Sequence, residues 1–333
     1  MQIYNTTSYR DATFDVMKGV AILLVIVGHL HQSADVGDLF VYKAIKRCIF
    51  SFHMPLFFIL AGYFYKKKKF KEDFKRLIIP CLFISLVYLL YTAIVSFIKQ
   101  DLSASVINVI GVLKEVAYGS GGQHGAMILG DVPVLGALWF LWAMFWGKRL
   151  FGILEDIICN VKFLGVVCLT CSVAFSLLDN FWVYIPLSFN QGMTALIFIY
   201  VGYVLRKKLP NTVPLKIIAL LIFLYLVDYP LGFIALDHSS FECYPLNVVG
   251  ASSATLFIYY VSKKYIKGAI SKALSWCGYH SLLILCVHHF FLKAHLPPPP
   301  EDVFLVLFVS VFSCILITYI LSKILFIKRI YHL

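Results

Sequence analysis

The sequence predicts an all-α membrane protein, a bundle of about ten transmembrane helices with both termini in the cytoplasm. Three observations predict it. Hydrophobic residues make up 61% of the 333 and charged residues only 14%, against roughly 25% charged in soluble domains. A surface this apolar would aggregate in water, so lipid is the solvent for most of it. Apolar runs also recur at about the 20-residue length that spans hydrocarbon, and basic residues gather in alternate connections between them.

The runs fall at approximately 14–34, 44–64, 77–98, 134–153, 161–178, 189–206, 214–234, 244–262, 276–295 and 303–326. A polar segment, Met1–Thr13, precedes the first, and no small-residue cleavage site follows it. That run is therefore expected to stay as an anchor. The fifth and sixth runs are separated by a short aromatic-rich joint, DNFWVYIPLS (Asp179–Ser188). With the N-terminus inside, the inner segments hold 23 of the 29 Lys and Arg, leaving Lys43, Lys46, Arg47, Lys99, Lys114 and Lys293 outside. An anionic inner leaflet favours this asymmetry, and adding or removing a span would invert every later loop. The net charge of +12 is thus accounted for by membrane lipid, and no nucleic-acid partner is expected.

The longest outer connection, 99–133, reads as a loop. Its GSGGQHG stretch (Gly119–Gly125) suits either a lid or a plain surface turn, and PPPPED (Pro297–Asp302) reads as a stiff outer link. No internal repeat is evident, and 1–333 reads as one domain. Most of the nine Cys lie inside apolar runs and read as small hydrophobes. Cys48 and Cys243 share the outer side, with nothing in the sequence to pair them.

Ionisable groups inside spans are expensive and therefore informative. The first span holds Asp15, Lys18 and His29. Eleven residues return a helix to nearly the same face, so Lys18 and His29 are expected on one interior stripe. Asp15 and Lys18, three apart, can pair, although interfacial snorkelling explains them too. His53 lies within the second run beside Pro55, which is expected to kink or open the helix there. On the ninth span His288 and His289 are adjacent, so at most one faces the interior squarely. His31, His124, His238, His295 and His332 read as ordinary polar residues. Neutral imidazole is a natural general base. No carboxylate accompanies these histidines in a ligand pattern, so no metal is expected.

Four stretches, DVMKGVAILLVIVGH (Asp15–His29), FHMPLFFILAGYF (Phe52–Phe64), ALWFLWAMFW (Ala137–Trp146) and SLLILCVHHFF (Ser281–Phe291), together resemble the acyltransferase-3 family of membrane O-acyltransferases. The likeness is to its fucose 4-O-acetylase-like branch and runs in order along the whole chain. The family shows a basic residue, ten intervening residues and a His in the first span; Lys18 and His29 match, with Lys in place of the commoner Arg. Its RxxR element is absent from KKKKFKEDFKRLIIP (Lys66–Pro80), which is basic without that spacing. The resemblance implies a bacterial inner-membrane enzyme moving an acetyl group from acetyl-CoA, a donor substrate rather than a bound cofactor. The acceptor would be a hydroxyl of a cell-surface or lipid-linked glycan, and other polysaccharide-assembly proteins would be partners. His29, His53 and Asp15 would be catalytic. Lys18, Lys75 and Arg76 would hold acyl-CoA, and Trp139 and His288 the acceptor. A proton-coupled or lipid-linked-sugar transporter is the rival reading.

Overall fold

The computed structural model describes residues 11–29, 40–99, 102–122, 125–126, 130–180, 184–207, 214–231, 234–294 and 303–333. His31, His124, His295 and the Pro297–Asp302 run lie outside the described residues, as does Gln123 of the glycine-rich stretch.

Helix dominates, as expected. The chain forms α1 (Ala12–Gly28), α2 (Phe40–Phe50), α3 (His53–Tyr63) and α4 (Phe70–Asp73), which runs through a π-helical turn at Phe74–Ile78 into α5 (Ile79–Lys99). There follow α6 (Leu102–Tyr118), α7 (Trp139–Ile157), α8 (Val161–Asn180), α9 (Phe189–Thr194), α10 (Leu196–Leu205) and α11 (Leu215–Asp228). The last are α12 (Leu246–Lys264), α13 (Gly268–Tyr279), α14 (Ser281–Ala294), α15 (Val303–Leu321) and α16 (Leu325–Tyr331). Among the described residues two short antiparallel strand pairs interrupt them, one of which joins Ile234–Ala235 to Ser240–Phe241. Among the described residues three helices, Lys43–Tyr63, Phe70–Lys99 and Val161–Leu178, are each long and apolar enough to cross a membrane. The number is five if each sharply bent helix pair is one span. The chain is a multi-pass, all-α membrane protein.

Every predicted apolar run holds a helix, but several boundaries differ. The 99–133 connection is not a plain loop, because α6 occupies its first half. LSASVINVIGVLKEVAY is helix-forming yet shorter than a span, which hides it from a length criterion. α13 begins in the basic connection before the ninth run, extends into that run and meets α14 at 71°, and the tenth run ends early with a 107° bend into α16. Pro55 does not break the second span at its own position. It sits in the first turn of α3, where a missing N–H is harmless, and the interruption lies at Ser51–Phe52. Proline cannot donate to the carbonyl four residues earlier and its ring crowds that group, which places the break at Ser51.

Two helix crossings are made at backbone contact. A Cβ on Gly19 would stand 2.0 Å from the Leu274 carbonyl oxygen, and one on Gly278 1.7 Å from that of Asp15, so α1 and α13 touch. Gly62 and Gly202 do the same for α3 and α10, each 1.9 Å from the partner's carbonyl oxygen. Small residues that let backbones approach are the usual device for helix association in lipid, where apolar surface alone gives no driving force. Around these crossings a core of Leu56, Phe58, Phe145, Phe151 and Phe198, all essentially inaccessible, fills the bundle.

Candidate active site

The two ends of the bundle carry different chemistry. At the end where α1 begins, Asp11 caps the helix by accepting from Thr13 N–H at 3.0 Å. One turn on, Lys18 Nζ lies 3.0 Å from buried Asp15. Phe14 packs on Tyr63, Phe64 and Tyr259 beside this pair. Basic residues converge nearby. Buried Asp73 takes Lys148 at 2.5 Å, with Arg149 at 3.7 Å. Lys67 pairs with Asp156 at 2.5 Å, and Arg206 donates to the Tyr65 carbonyl. Burial holds the Lys68 ammonium below the usual lysine range, and the charges of Arg76 and Lys148 push the same way. Lys75 and Arg76 are exposed on the π-helical turn of this basic face.

At the opposite end His29 closes α1. Its Nδ1 is 2.8 Å from the carbonyl of Val25, and that of His53, at the start of α3, is 2.7 Å from the carbonyl of Ile49 across the Ser51–Phe52 break. A carbonyl only accepts, so each ring donates through Nδ1, and in the neutral imidazole the lone pair is then left on Nε2. The Phe50 ring links the two histidines, 6.1 Å from His29 and 5.0 Å from His53 between centroids. The His288 ring stands edge-on to His29 at 5.5 Å, and its Nε2 has no protein partner among the described residues.

His29 and His53 line a cavity of about 390 Å³, counting the space at its mouth. Trp139, at the first position of α7, Met54 and Asp237 also line it. Asp237 comes from the 3₁₀ turn Leu236–His238 between the paired strands. It is absent from the residues that the sequence marks out, and His238 is not the ordinary polar residue expected there. His238 Nδ1 lies 3.2 Å from the Asp237 carboxylate, and Gln191 donates to the Asp237 carbonyl at 2.9 Å. Burial alone would raise the Asp237 carboxyl. The hydrogen bond and charge of His238, together with the charge of His29, outweigh it and hold the group below the ordinary carboxylate range. An acid beside a histidine in a short connection between apolar runs is the signal in the sequence that points to this pair.

The glycine-rich stretch explains itself here. A Cβ on Gly121 would press on the Trp139 ring and the Asp237 side chain, and one on Gly122 would overlap the His238 ring. The backbone at Gly121 and Gly122 therefore packs directly against Trp139 and the Asp237–His238 turn.

The structure brings together His29, His53, Trp139 and, through its ring contact, His288. It leaves Asp15, Lys18, Lys75 and Arg76 at the other end. The expected open polar stripe between Lys18 and His29 is absent. Ile22 and Val25, each 2% exposed, occupy the same face of α1 and pack into the core. Cys48 and Cys243 are free thiols, Cys48 facing the Tyr225 hydroxyl.

A model of the acyltransferase domain family matches residues 11–323. The chain belongs to that family. Curated relatives include the nodulation protein NolL of Mesorhizobium japonicum, 29% identical over 150 residues that cover 42% of this chain and 34% of the relative. NolL of Sinorhizobium fredii is 30% identical over 145 residues, 40% of this chain and 34% of its own. The match thus spans about a third of the curated relatives' length. No solved structure matches. Within this site the paired imidazoles are the groups suited to moving a proton.

Proposed function

We propose that this membrane acyltransferase moves an acetyl group from acetyl-CoA to a hydroxyl of a glycan, in a ten-span fold of the bacterial inner membrane. The observation that carries the reading is the anchored His29 ring. Its Nδ1–H is spent on Val25, which orients the ring and makes Nε2 the basic nitrogen of its neutral form. In the reaction His29 Nε2 takes the acceptor hydroxyl's proton as the oxygen attacks the thioester carbonyl. The new C–O bond forms, the C–S bond breaks, and the thiolate leaves with the proton returned from His29. His53 shapes the same space, Trp139 offers a flat face on which a sugar ring stacks, and His288 supports the acceptor side of His29.

The donor would bind at the basic end, its phosphates held by Lys75 and Arg76 with Lys18 nearer the entrance to α1. Cations suit phosphate, and arginine adds a bidentate geometry. The pantetheine arm would then run along α1, and Ile22 and Val25 are the side chains that have to give way. Asp15 acts in this scheme by fixing Lys18.

The test uses purified protein, labelled acetyl-CoA and a membrane glycan fraction as acceptor. Label moves to glycan with the wild type, and His29→Ala lowers the rate by about 10²–10⁴-fold, the usual loss for a general base. Glycan flux without label transfer would overturn the reading in favour of a transporter.

A further inference from the structure

A lysine at the end of a span ordinarily reaches past the apolar surface into water. Lys293, in the last turn of α14, does otherwise. Its ammonium donates to the Glu115 carboxylate at 2.8 Å and to the Val134 carbonyl at 2.7 Å, and its side chain is 22% exposed. The Tyr88 hydroxyl donates to the Lys293 carbonyl at 3.4 Å, so α5 holds the backbone of the same residue. One ammonium thus ties the end of α14 to α6 and to the segment that leads into α7.

The two acceptors bracket the glycine-rich connection. Glu115 lies one turn before Gly119, whose N–H donates to the Glu115 carbonyl at 2.8 Å. Val134 forms a bridge with Ser120, and the Leu135 N–H donates to the Ser120 carbonyl at 2.8 Å. Gly136 follows with φ of 79°, and the Lys293 Cε lies 3.4 Å from where its Cβ would stand. The Gly136 carbonyl accepts the Trp139 N–H at 3.0 Å, where α7 begins. Trp139 lines the cavity with His29 and His53. The hairpin that carries Asp237 is held separately. The Arg47 guanidinium donates to the carbonyls of Tyr229 and Pro230 at 2.9 and 2.6 Å and pairs with Glu242, clasping both sides of that hairpin to α2. A single partly exposed ion pair adds little to stability. What the Lys293 clamp contributes is therefore the placement of Trp139.

We infer that Lys293 is a positioning residue whose ammonium fixes the entry into α7, and through it the Trp139 ring on which the acceptor stacks. The inference rests on the acyl-transfer reading and deepens it. Lys293 meets neither substrate and exchanges no proton in the reaction. Acting through Trp139, it has two consequences that a merely structural lysine lacks. Its loss moves the Trp139 ring, and its loss matters only while that ring is present.

The test uses the full-length protein in detergent, labelled with 5-fluorotryptophan for fluorine NMR, and the transfer assay with labelled acetyl-CoA and a membrane glycan fraction. Trp139→Phe removes one resonance and so assigns it. Lys293→Met keeps the aliphatic stem and loses both donated bonds. It is expected to shift the Trp139 resonance while that of Trp276, on α13, stays in place. The acceptor kcat/KM is expected to fall by at least about tenfold, since misplacing a positioning group by about 1 Å can cost about 10²-fold. Affinity for acetyl-CoA stays unchanged. In a Trp139→Phe background the same substitution is expected to cost less than about twofold, because residues acting through one another are not additive. Lys293→Arg, which keeps the donors, recovers most of the loss. If Lys293→Met does not fold, Glu115→Gln, which breaks the ion pair, is taken through the same measurements and judged by the same outcomes. An unmoved Trp139 resonance, an unchanged acceptor kcat/KM, or equal losses in the two backgrounds overturns the inference alone. A shifted resonance in a protein whose wild type transfers no label overturns the acyl-transfer reading, and the role in acceptor binding with it.

Discussion

His29 and Asp237 meet in one cavity although they lie far apart along the chain, and their legibility differs for a physical reason. An imidazole inside a 20-residue apolar run is costly, so His29 and His53 stand out on hydropathy alone. Asp237 lies in a polar connection where a carboxylate costs nothing, and only the fold of the hairpin aims it at the histidines. Its depressed pKa makes a prediction with a definite sign. A carboxyl below its ordinary range keeps its charge as the pH falls, so protonation of Asp237 does not set the acid limb of activity. The Asp237 charge and the neighbouring imidazolium charges favour one another, so Asp237→Asn makes those histidines easier to deprotonate and is expected to move the acid limb of kcat/KM to lower pH. An acid limb that stays in place or moves to higher pH contradicts it. Ser239, which closes the turn, has φ of 54° and a buried hydroxyl without a partner among the described residues. The left-handed conformation costs a non-glycine residue about 1–2 kcal/mol. Ser239→Gly is accordingly expected to keep or raise the melting temperature in detergent. Ser239→Val, β-branched at positive φ, is expected to lower both stability and transfer, because the same turn carries Asp237.

Among elements, those legible in the sequence are the ones whose apolar length approaches a bilayer, such as α5 and α8. The ones it conceals, α6 and α13, are short, and Lys263, Lys264, Lys267 and Lys272 mark the stretch where α13 begins as a loop. Glycine spacing holds information about packing that hydropathy does not contain. Gly19 and Gly278 set the α1–α13 contact, and through it the position of the helix that carries Lys18 at one end and His29 at the other. Gly278→Val is expected to prevent this crossing, giving protein that aggregates on gel filtration and carries no transferase activity. Gly111, in α6, has no atom within 4 Å of where a Cβ would stand. Gly111→Ala is thus expected to be tolerated and to favour the helix by up to about 1 kcal/mol. If the two variants behave alike in a thermal melt, close backbone approach is not what organises the bundle.

At the scale of the molecule, charge does what hydropathy leaves open. The helix-rich bundle by itself permits several span counts, since short or bent helices such as α11 and the α13–α14 pair fall below a strict length test. The basic end, with Lys148 and Arg149 on Asp73 and Lys67 on Asp156, is assembled from segments that the ten-span topology puts on the cytoplasmic side. The cavity end, with Arg47 as its clasp, is assembled from segments placed outside. Two positions separate the alternatives. Cys159 is exposed in the α7–α8 connection, and Ser240 is exposed on the hairpin that carries Asp237. In intact cells expressing the Cys48→Ser, Cys243→Ser protein, a membrane-impermeant maleimide is expected to spare Cys159 until the membrane is permeabilised. The same reagent is expected to label an added Ser240→Cys immediately. Labelling of Cys159 from outside would reverse the orientation of the basic end. It would then count against the proposed binding of acyl-CoA phosphates by Lys75 and Arg76, since acyl-CoA is made and kept in the cytoplasm.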